Sequence, residues 1–81
     1  MKIYDYYGKK NLCGVRMREA RGFMRLSQGR LAAKLQIEGI TMERDSIGRI
    51  EAGTRFVADY ELMVISKILG VTVSWLLGLN E

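Results

Sequence analysis

The fold is decided by residues 27–55, SQGRLAAKLQIEGITMERDSIGRIEAGTR, which predict two helices joined by a turn. Ser27 can cap the first helix, because its hydroxyl can accept a free backbone N–H of the first turn. Gly39 can end that helix in the left-handed conformation. Thr41 is placed to cap the second helix, which runs through Glu51. Each helix has an apolar stripe, formed by Leu31, Ala32 and Leu35 in the first and by Ile47 and Ile50 in the second.

Outside this stretch the pattern remains helical, because the chain has no proline and few alternating β-branched runs. Before it, Asn11 can cap a helix running to about Met24. We expect the inward side of that helix to carry Leu12, Val15, Met17, Ala20, Phe23 and Met24. After it, a fourth helix is expected over residues 59–69, and Thr72 can cap a short fifth helix over residues 73–77.

The ends of two helices depart from the common pattern. Arg25 follows the first helix where glycine is usual, so we expect a non-glycine residue in the left-handed region. Ala58 precedes the fourth helix without a hydroxyl that could cap it. We expect Asp59 to cap instead, which would leave Glu61 as the unused half of a capping box.

Composition narrows the function classes. The 81 residues carry a net charge of +4, are 48% hydrophobic and 27% charged, and so predict one folded domain that favours polyanionic partners. With one cysteine and no histidine, an intramolecular disulfide, the usual zinc sets and a histidine base are excluded. We expect no cofactor, no metal and no membrane span, with a cytoplasmic location as the default. Residues 1–10 are expected to form an N-terminal arm, ordered only if its tyrosines are covered, and residues 11–81 the domain.

Four segments in order, MREAR, RLSQGRLAAKL, DSIGRIEAGTR and ILGVTVSWLLG, resemble the Xre/Cro (lambda-repressor-like) family of helix-turn-helix DNA-binding proteins. The resemblance covers about residues 12–78 and implies an all-α, compact five-helix fold. It implies that Gln28 hydrogen-bonds a DNA phosphate and braces the recognition helix. It also implies a structural ion pair between Arg21 and Glu51, and a grip on the DNA backbone by Thr54 and Arg55.

One departure from the family lies between Leu35 and Ile47, where this chain has about five residues more than the tight form of the motif. Either helix 2 is extended by about a turn or the turn before the recognition helix is enlarged. The core positions remain, but the register of residues 43–46 towards DNA is left open.

The second helix of the motif presents polar side chains away from Ile47 and Ile50. Arginine donors match the O6 and N7 acceptors of guanine in the major groove. We therefore expect Arg44, Asp45 and Arg49 to read bases, and Ser46 to contact a phosphate or a base. The alternative is an ordinary solvated helix face. The carboxylates of Glu43 and Asp45 either accept a hydrogen bond from cytosine N4 or stabilise the N-terminus of this helix.

These features predict a sequence-specific, DNA-binding transcriptional regulator of the repressor type that acts on double-stranded DNA. A homodimer is expected. The resemblance implies a dimer surface on the fifth helix and the residues after it, with the candidates Val73, Trp75, Leu76, Leu77 and Leu79. For Trp75 the alternative is a place in the core. The alternative is a protein-interaction module such as an antitoxin, with Tyr4, Tyr6 and Tyr7 and the apolar C-terminus as its partner surface. We expect no enzymatic activity, because no nucleophile, base and orienting group occur at useful spacing.

Overall fold

The computed structural model describes residues 5–79, which form an all-α structure of five helices. Within that range no strand occurs, and the one isolated bridge joins Tyr6 to Lys9. The predicted all-α class and number of helices are therefore confirmed. The helices are α1 (Gly14–Phe23), α2 (Gln28–Ile37), α3 (Arg44–Glu51), α4 (Asp59–Leu69) and α5 (Val73–Leu76).

Side-chain caps start α2 and α5 as predicted. The Ser27 hydroxyl accepts from the Arg30 N–H at 3.1 Å, and the Thr72 hydroxyl accepts from the Trp75 N–H at 3.0 Å. Asn11 also acts as a cap, accepting from the Gly14 N–H at 2.9 Å, but α1 proper begins only at Gly14. These bonds satisfy N–H groups that have no partner within the helix.

Two other predicted caps are wrong. Thr41 is exposed and lies outside α3, whose N-cap position is Glu43, in extended conformation and without a side-chain bond. Asp59 is already inside α4, and the N-cap position is Ala58. The carboxylate of Glu61 is not idle, because its Oε1 accepts from the Ala58 N–H at 3.0 Å.

The connection between α2 and α3 comprises residues 38–43. Helix α2 stops at Ile37, and Gly39 takes a positive φ of 87°. The connection then returns to the core, since Met42 is only 5% exposed and Ile40 packs against the buried cluster. Burial of these two side chains gives the longer turn a fixed path. Arg25 has a φ of 53°, so the predicted left-handed residue after α1 is confirmed.

The core is a single cluster to which all five helices contribute. Its fully buried members include Leu31 and Leu35 of α2 and Ile47 and Ile50 of α3, as the sequence predicted. Further members are Cys13, Met17, Ala20, Leu26, Met42, Ile65, Leu69 and Leu76.

The predicted inward side of α1 is too wide. Cys13, Met17 and Ala20 are buried and follow one helical face at spacings of four and three residues. The other expected members lie off this face or beyond the helix ends. Leu12, Val15, Phe23 and Met24 are between 47% and 83% exposed.

Helix α5 packs against α1 and α4. Leu76 is completely buried, so its placement on a dimer surface is wrong, whereas Leu79 is exposed. Arg16 lies on Trp75, with its guanidinium 4.7 Å from the ring centre and Nη1 donating to the Trp75 carbonyl at 3.1 Å. Trp75 is half-buried against the core.

Residues 5–10 of the expected arm form a tight turn although Tyr6 and Tyr7 remain exposed. Its order does not require the tyrosines to be covered, because the Lys10 N–H donates to the Gly53 carbonyl at 2.8 Å. Tyr4 lies outside the described residues. Among residues 5–79, none of the helices has both the length and the apolar character needed to cross a membrane.

Candidate nucleic-acid interface

The start of α2 and the outer face of α3 enclose an open cleft of about 600 Å³. Five of the seven residues predicted to contact DNA line it together, although they come from two separate segments of the chain. These five are Gln28, Arg44, Asp45, Ser46 and Arg49, and the remaining lining residues are Glu43 and Gly48. The folded chain thus brings most of the predicted site to one surface.

Helix α3 presents its polar side chains to the cleft because its opposite face is buried in the core. Ile47 and Ile50 are completely buried, three residues apart on one side of the helix. Helix α3 packs against both α1 and α2. Arg44, Asp45 and Arg49 are exposed on the remaining surface. With eight residues, α3 is about 12 Å long, which is comparable to the width of the DNA major groove.

An ion pair fastens the C-terminal end of α3 to α1. Arg21 donates from Nε to Glu51 Oε2 at 2.8 Å and from Nη2 to Glu51 Oε1 at 3.0 Å. Its Nη1 also donates to the Leu26 carbonyl at 2.9 Å. The Glu51 side chain is only 5% exposed and that of Arg21 17%. The hydrogen bonds to Glu51 raise the pKa of Arg21 although partial burial opposes the shift. The pair that the resemblance implied is confirmed.

Gln28 joins the same carboxylate. Its Nε2 donates to Glu51 Oε1 at 3.1 Å, which links the first turn of α2 to the last turn of α3. The amide lies against α3 at Gly48, where an added Cβ would be 3.7 Å from both amide heteroatoms. The bracing part of the Gln28 prediction is therefore present in the structure. A primary amide has two N–H donors, so one remains for an outside acceptor.

Thr54 and Arg55 do not line the cleft. The Thr54 hydroxyl donates to the Arg49 carbonyl at 3.2 Å and remains exposed. The Arg55 guanidinium pairs with Glu61 through contacts of 3.1 Å and 3.3 Å, and it also donates to the Phe56 carbonyl at 2.8 Å. In this arrangement Arg55 holds the loop before α4.

The pair between Arg55 and Glu61 was not among the predictions from sequence. Burial by itself would raise the pKa of Glu61, but the hydrogen bonds from Arg55 and from the Ala58 N–H outweigh it and lower the pKa. The two residues lie six apart across a loop, and neither a helix nor a strand brings side chains at that spacing into contact. The sequence signal was limited to the position of Glu61 three residues after Ala58.

The described residues 5–79 contain no group of three or more metal-ligating side chains. Cys13 is 2% exposed, and its burial raises the pKa of the thiol, although a backbone hydrogen bond partly opposes the shift.

In comparisons with known proteins, no family model, curated protein or solved structure matches this chain. The geometry of the cleft and the resemblance in sequence therefore carry the functional argument.

Proposed function

We propose that this protein binds double-stranded DNA sequence-specifically and regulates transcription, with α3 as the recognition helix. One observation carries the proposal: Gln28 and the exposed polar side chains of α3 line one cleft, while the opposite side of α3 is buried. In this proposal α2, residues 38–43 and α3 form a helix-turn-helix unit within a lambda-repressor-like arrangement of five helices. The first turns of α3 then meet the base edges.

The chemistry of the cleft supports direct reading of bases. Arg44 and Arg49 each carry a planar guanidinium that can donate twice to guanine. Asp45 lies in the first turn of α3, where a carboxylate is favoured by the helix dipole and can accept from cytosine N4. Ser46 can donate to a base or to a phosphate. This mixture of charges favours recognition of base edges over a purely electrostatic attraction to phosphates.

Gln28 has a different proposed role, which is to fix the distance between α3 and the DNA backbone. One of its amide hydrogens is engaged by Glu51, and the second can donate to a phosphate oxygen. Because the amide donates to Glu51 and lies near Gly48, its position is linked to that of α3. A phosphate bound by Gln28 would therefore set how deeply α3 enters the groove.

Selection of bound duplexes from a random pool, followed by titration against salt, tests this proposal. We expect enrichment of a defined sequence and a steep loss of affinity as the salt concentration rises. Equal retention of all duplexes would refute sequence-specific binding.

Two variants divide the site by role. Replacing Arg49 with alanine should relax the preference at particular base pairs, at a cost of about 1–3 kcal/mol for the preferred sequence. Replacing Gln28 with alanine should weaken binding to all sequences evenly. Lys67→Ala, an exposed change on α4, is the matched control and should leave the base preference unchanged. Identical behaviour of the Arg49 and Gln28 variants would contradict the division of roles.

A second candidate function, a protein-interaction module such as an antitoxin, is favoured by exposed aromatic side chains. Phe23 is 83% exposed, Tyr7 89% and Tyr6 58%. Aromatic residues are enriched in protein interfaces. Co-purification of a defined second chain, lost on Phe23→Ser or Tyr7→Ser substitution, would support this function.

A homodimer through Leu79 and the half-buried residues of α5 remains part of the leading proposal, and its test is the molar mass in solution.

A further inference from the structure

A tight turn formed by residues 5–10 lies beside the C-terminal end of α3. Tyr6 and Lys9 exchange two backbone hydrogen bonds of 2.8 and 3.0 Å, and the two residues between them have positive φ. Positive φ at both central positions is the geometry of a type I′ turn. Asp5 closes the turn by accepting from the Gly8 N–H at 3.3 Å.

This turn is fastened to the chain segment that leaves α3. The Lys10 N–H donates to the Gly53 carbonyl at 2.8 Å. The adjacent Asn11 amide donates to the carbonyls of Ile50 at 3.0 Å and Arg55 at 2.8 Å. The turn therefore has a fixed position relative to α3, although more than thirty residues separate the two in the sequence.

The side chain of Lys9 packs on Gly53. A Cβ added to Gly53 would lie 3.2 Å from both Cγ and Cδ of Lys9, so the lack of a side chain at Gly53 leaves room for the lysine stem. Lys9 is nevertheless exposed as a residue, which is typical of a lysine that buries its stem and keeps its ammonium group in water. Lys10 has an additional partner, since its Nζ lies 5.1 Å from the centre of the Phe56 ring.

Lys9 is connected to the cleft through the end of α3. Gly53 is followed by Thr54, whose N–H and hydroxyl both donate to the Arg49 carbonyl, at 2.9 and 3.2 Å. Arg49 lines the cleft. A helix about 12 Å long that enters the major groove by its N-terminus brings its C-terminal end towards the phosphates at the groove edge. The negative end of the helix dipole there would repel those phosphates.

We propose that Lys9 is a DNA phosphate-binding residue, which extends the interface from the cleft to the C-terminal end of α3. This inference rests on the proposed function. The ammonium group offsets the negative end of the α3 dipole and meets a phosphate that the cleft residues do not reach. Its contact is independent of base sequence, because phosphates are the same at every base pair.

The test compares the salt dependence of binding to the selected duplex for wild type, Lys9→Gln, Lys9→Arg and Lys67→Gln. Loss of one phosphate contact should reduce the slope of log affinity against log salt by about 0.9 and lower affinity roughly five- to tenfold at low salt. Lys9→Gln should show this change with an unaltered base preference. Lys9→Arg should retain the slope, and Lys67→Gln, which removes the same charge from α4, should match wild type. Unchanged thermal unfolding of Lys9→Gln shows that its fold is intact.

The outcomes separate this inference from the proposed function. If wild type binds the selected duplex and Lys9→Gln has the same slope as Lys67→Gln, the phosphate contact is refuted while the proposed function stands. A loss of base preference on Lys9→Gln would also refute a contact to phosphate alone. If wild type retains no duplex, the proposed function fails and the inference falls with it.

Discussion

Replacing Glu51 with alanine should destabilise the protein strongly, because Glu51 is the common acceptor of three hydrogen bonds. These bonds, of 2.8, 3.0 and 3.1 Å, come from Arg21 and Gln28 and hold α1, α2 and α3 together. The substitution would leave the Arg21 guanidinium with its bond to the Leu26 carbonyl and without a counter-charge.

Burial decides the size of the effect. An exposed ion pair contributes about 1 kcal/mol or less, whereas removal of one partner of a buried pair costs about 3–5 kcal/mol. The side chains of Glu51 and Arg21 are 5% and 17% exposed, which places this pair near the lower end of the buried range. We therefore expect a loss of about 3 kcal/mol, which for a domain of this size lowers Tm by roughly 12–24 °C.

Thermal and urea unfolding followed by far-ultraviolet circular dichroism would measure this loss. The matched control is Glu19→Ala, an exposed carboxylate on α1, which should change stability by less than about 0.5 kcal/mol. The double variant Arg21→Met with Glu51→Leu should recover much of the stability, because apolar side chains of similar size replace both charges. The DNA affinity of the double variant should be lower than that of wild type, because Gln28 has lost its hydrogen-bond acceptor. A loss for Glu51→Ala no larger than that for Glu19→Ala would show that the pair with Arg21 does not stabilise the fold.

Three further predictions concern stability and reactivity. Gly14→Ala should destabilise the protein by more than about 2 kcal/mol, because the added Cβ would collide with a backbone carbonyl of α3. Gly22→Ala has open space for its Cβ and should stabilise the protein by about 0.5–1 kcal/mol. Urea unfolding of the two variants measures both changes. The pKa of Glu61 is lower in the folded protein than in the unfolded chain, where it is about 4.3. Ionised Glu61 therefore stabilises the fold above about pH 4.3, and this contribution is lost as the pH falls through the lower pKa of the folded state. Unfolding free energy should therefore fall less steeply in acid for Glu61→Gln than for wild type, and equal slopes would contradict a role for its pair with Arg55. Cys13 should react with a thiol reagent at neutral pH only at the rate of opening of the fold, because burial shields it and raises its pKa; a rate equal to that of free cysteine would contradict its burial.

The helices could be predicted from sequence where apolar spacing and glycine act together. Helix α4 has the predicted bounds, because its apolar residues repeat at helical spacing until Gly70 takes a left-handed conformation with a φ of 68°. The Ile47 and Ile50 stripe placed α3 in the same way. Capping signals were less reliable, since the hydroxyl of Thr41 is two residues too early to serve α3.

Contacts between distant segments could not be predicted from spacing. The turn of residues 5–10 has no period, and its place beside Gly53 depends on a backbone hydrogen bond that any residue type except proline could donate. The partnership of Arg55 with Glu61 likewise depends on the path of a loop. By contrast, the pair between Arg21 and Glu51 was available through the resemblance, which relates positions that are far apart in the chain.

Most residues of the candidate site could be named before the structure was known. The polar residues of α3 could be named because the buried stripe fixes which face of that helix is free, whereas Gln28 was named through the resemblance. The residues added before α3 left their register open. In the structure Met42 is buried and α3 begins at Arg44, while the register towards DNA stays a prediction. Lys9 could not be proposed from the sequence, because no local pattern links it to α3.

In the proposed function, the cleft between the start of α2 and α3 binds duplex DNA. Chemical-shift mapping of the isotope-labelled protein during titration with the selected duplex locates the surface that the DNA contacts. We predict that the largest shifts fall on Gln28 and on residues 43–49, followed by Lys9, while the exposed face of α4 around Tyr60 and Lys67 changes little. Shifts centred on α4, or none in the cleft at saturating duplex, would contradict the claim.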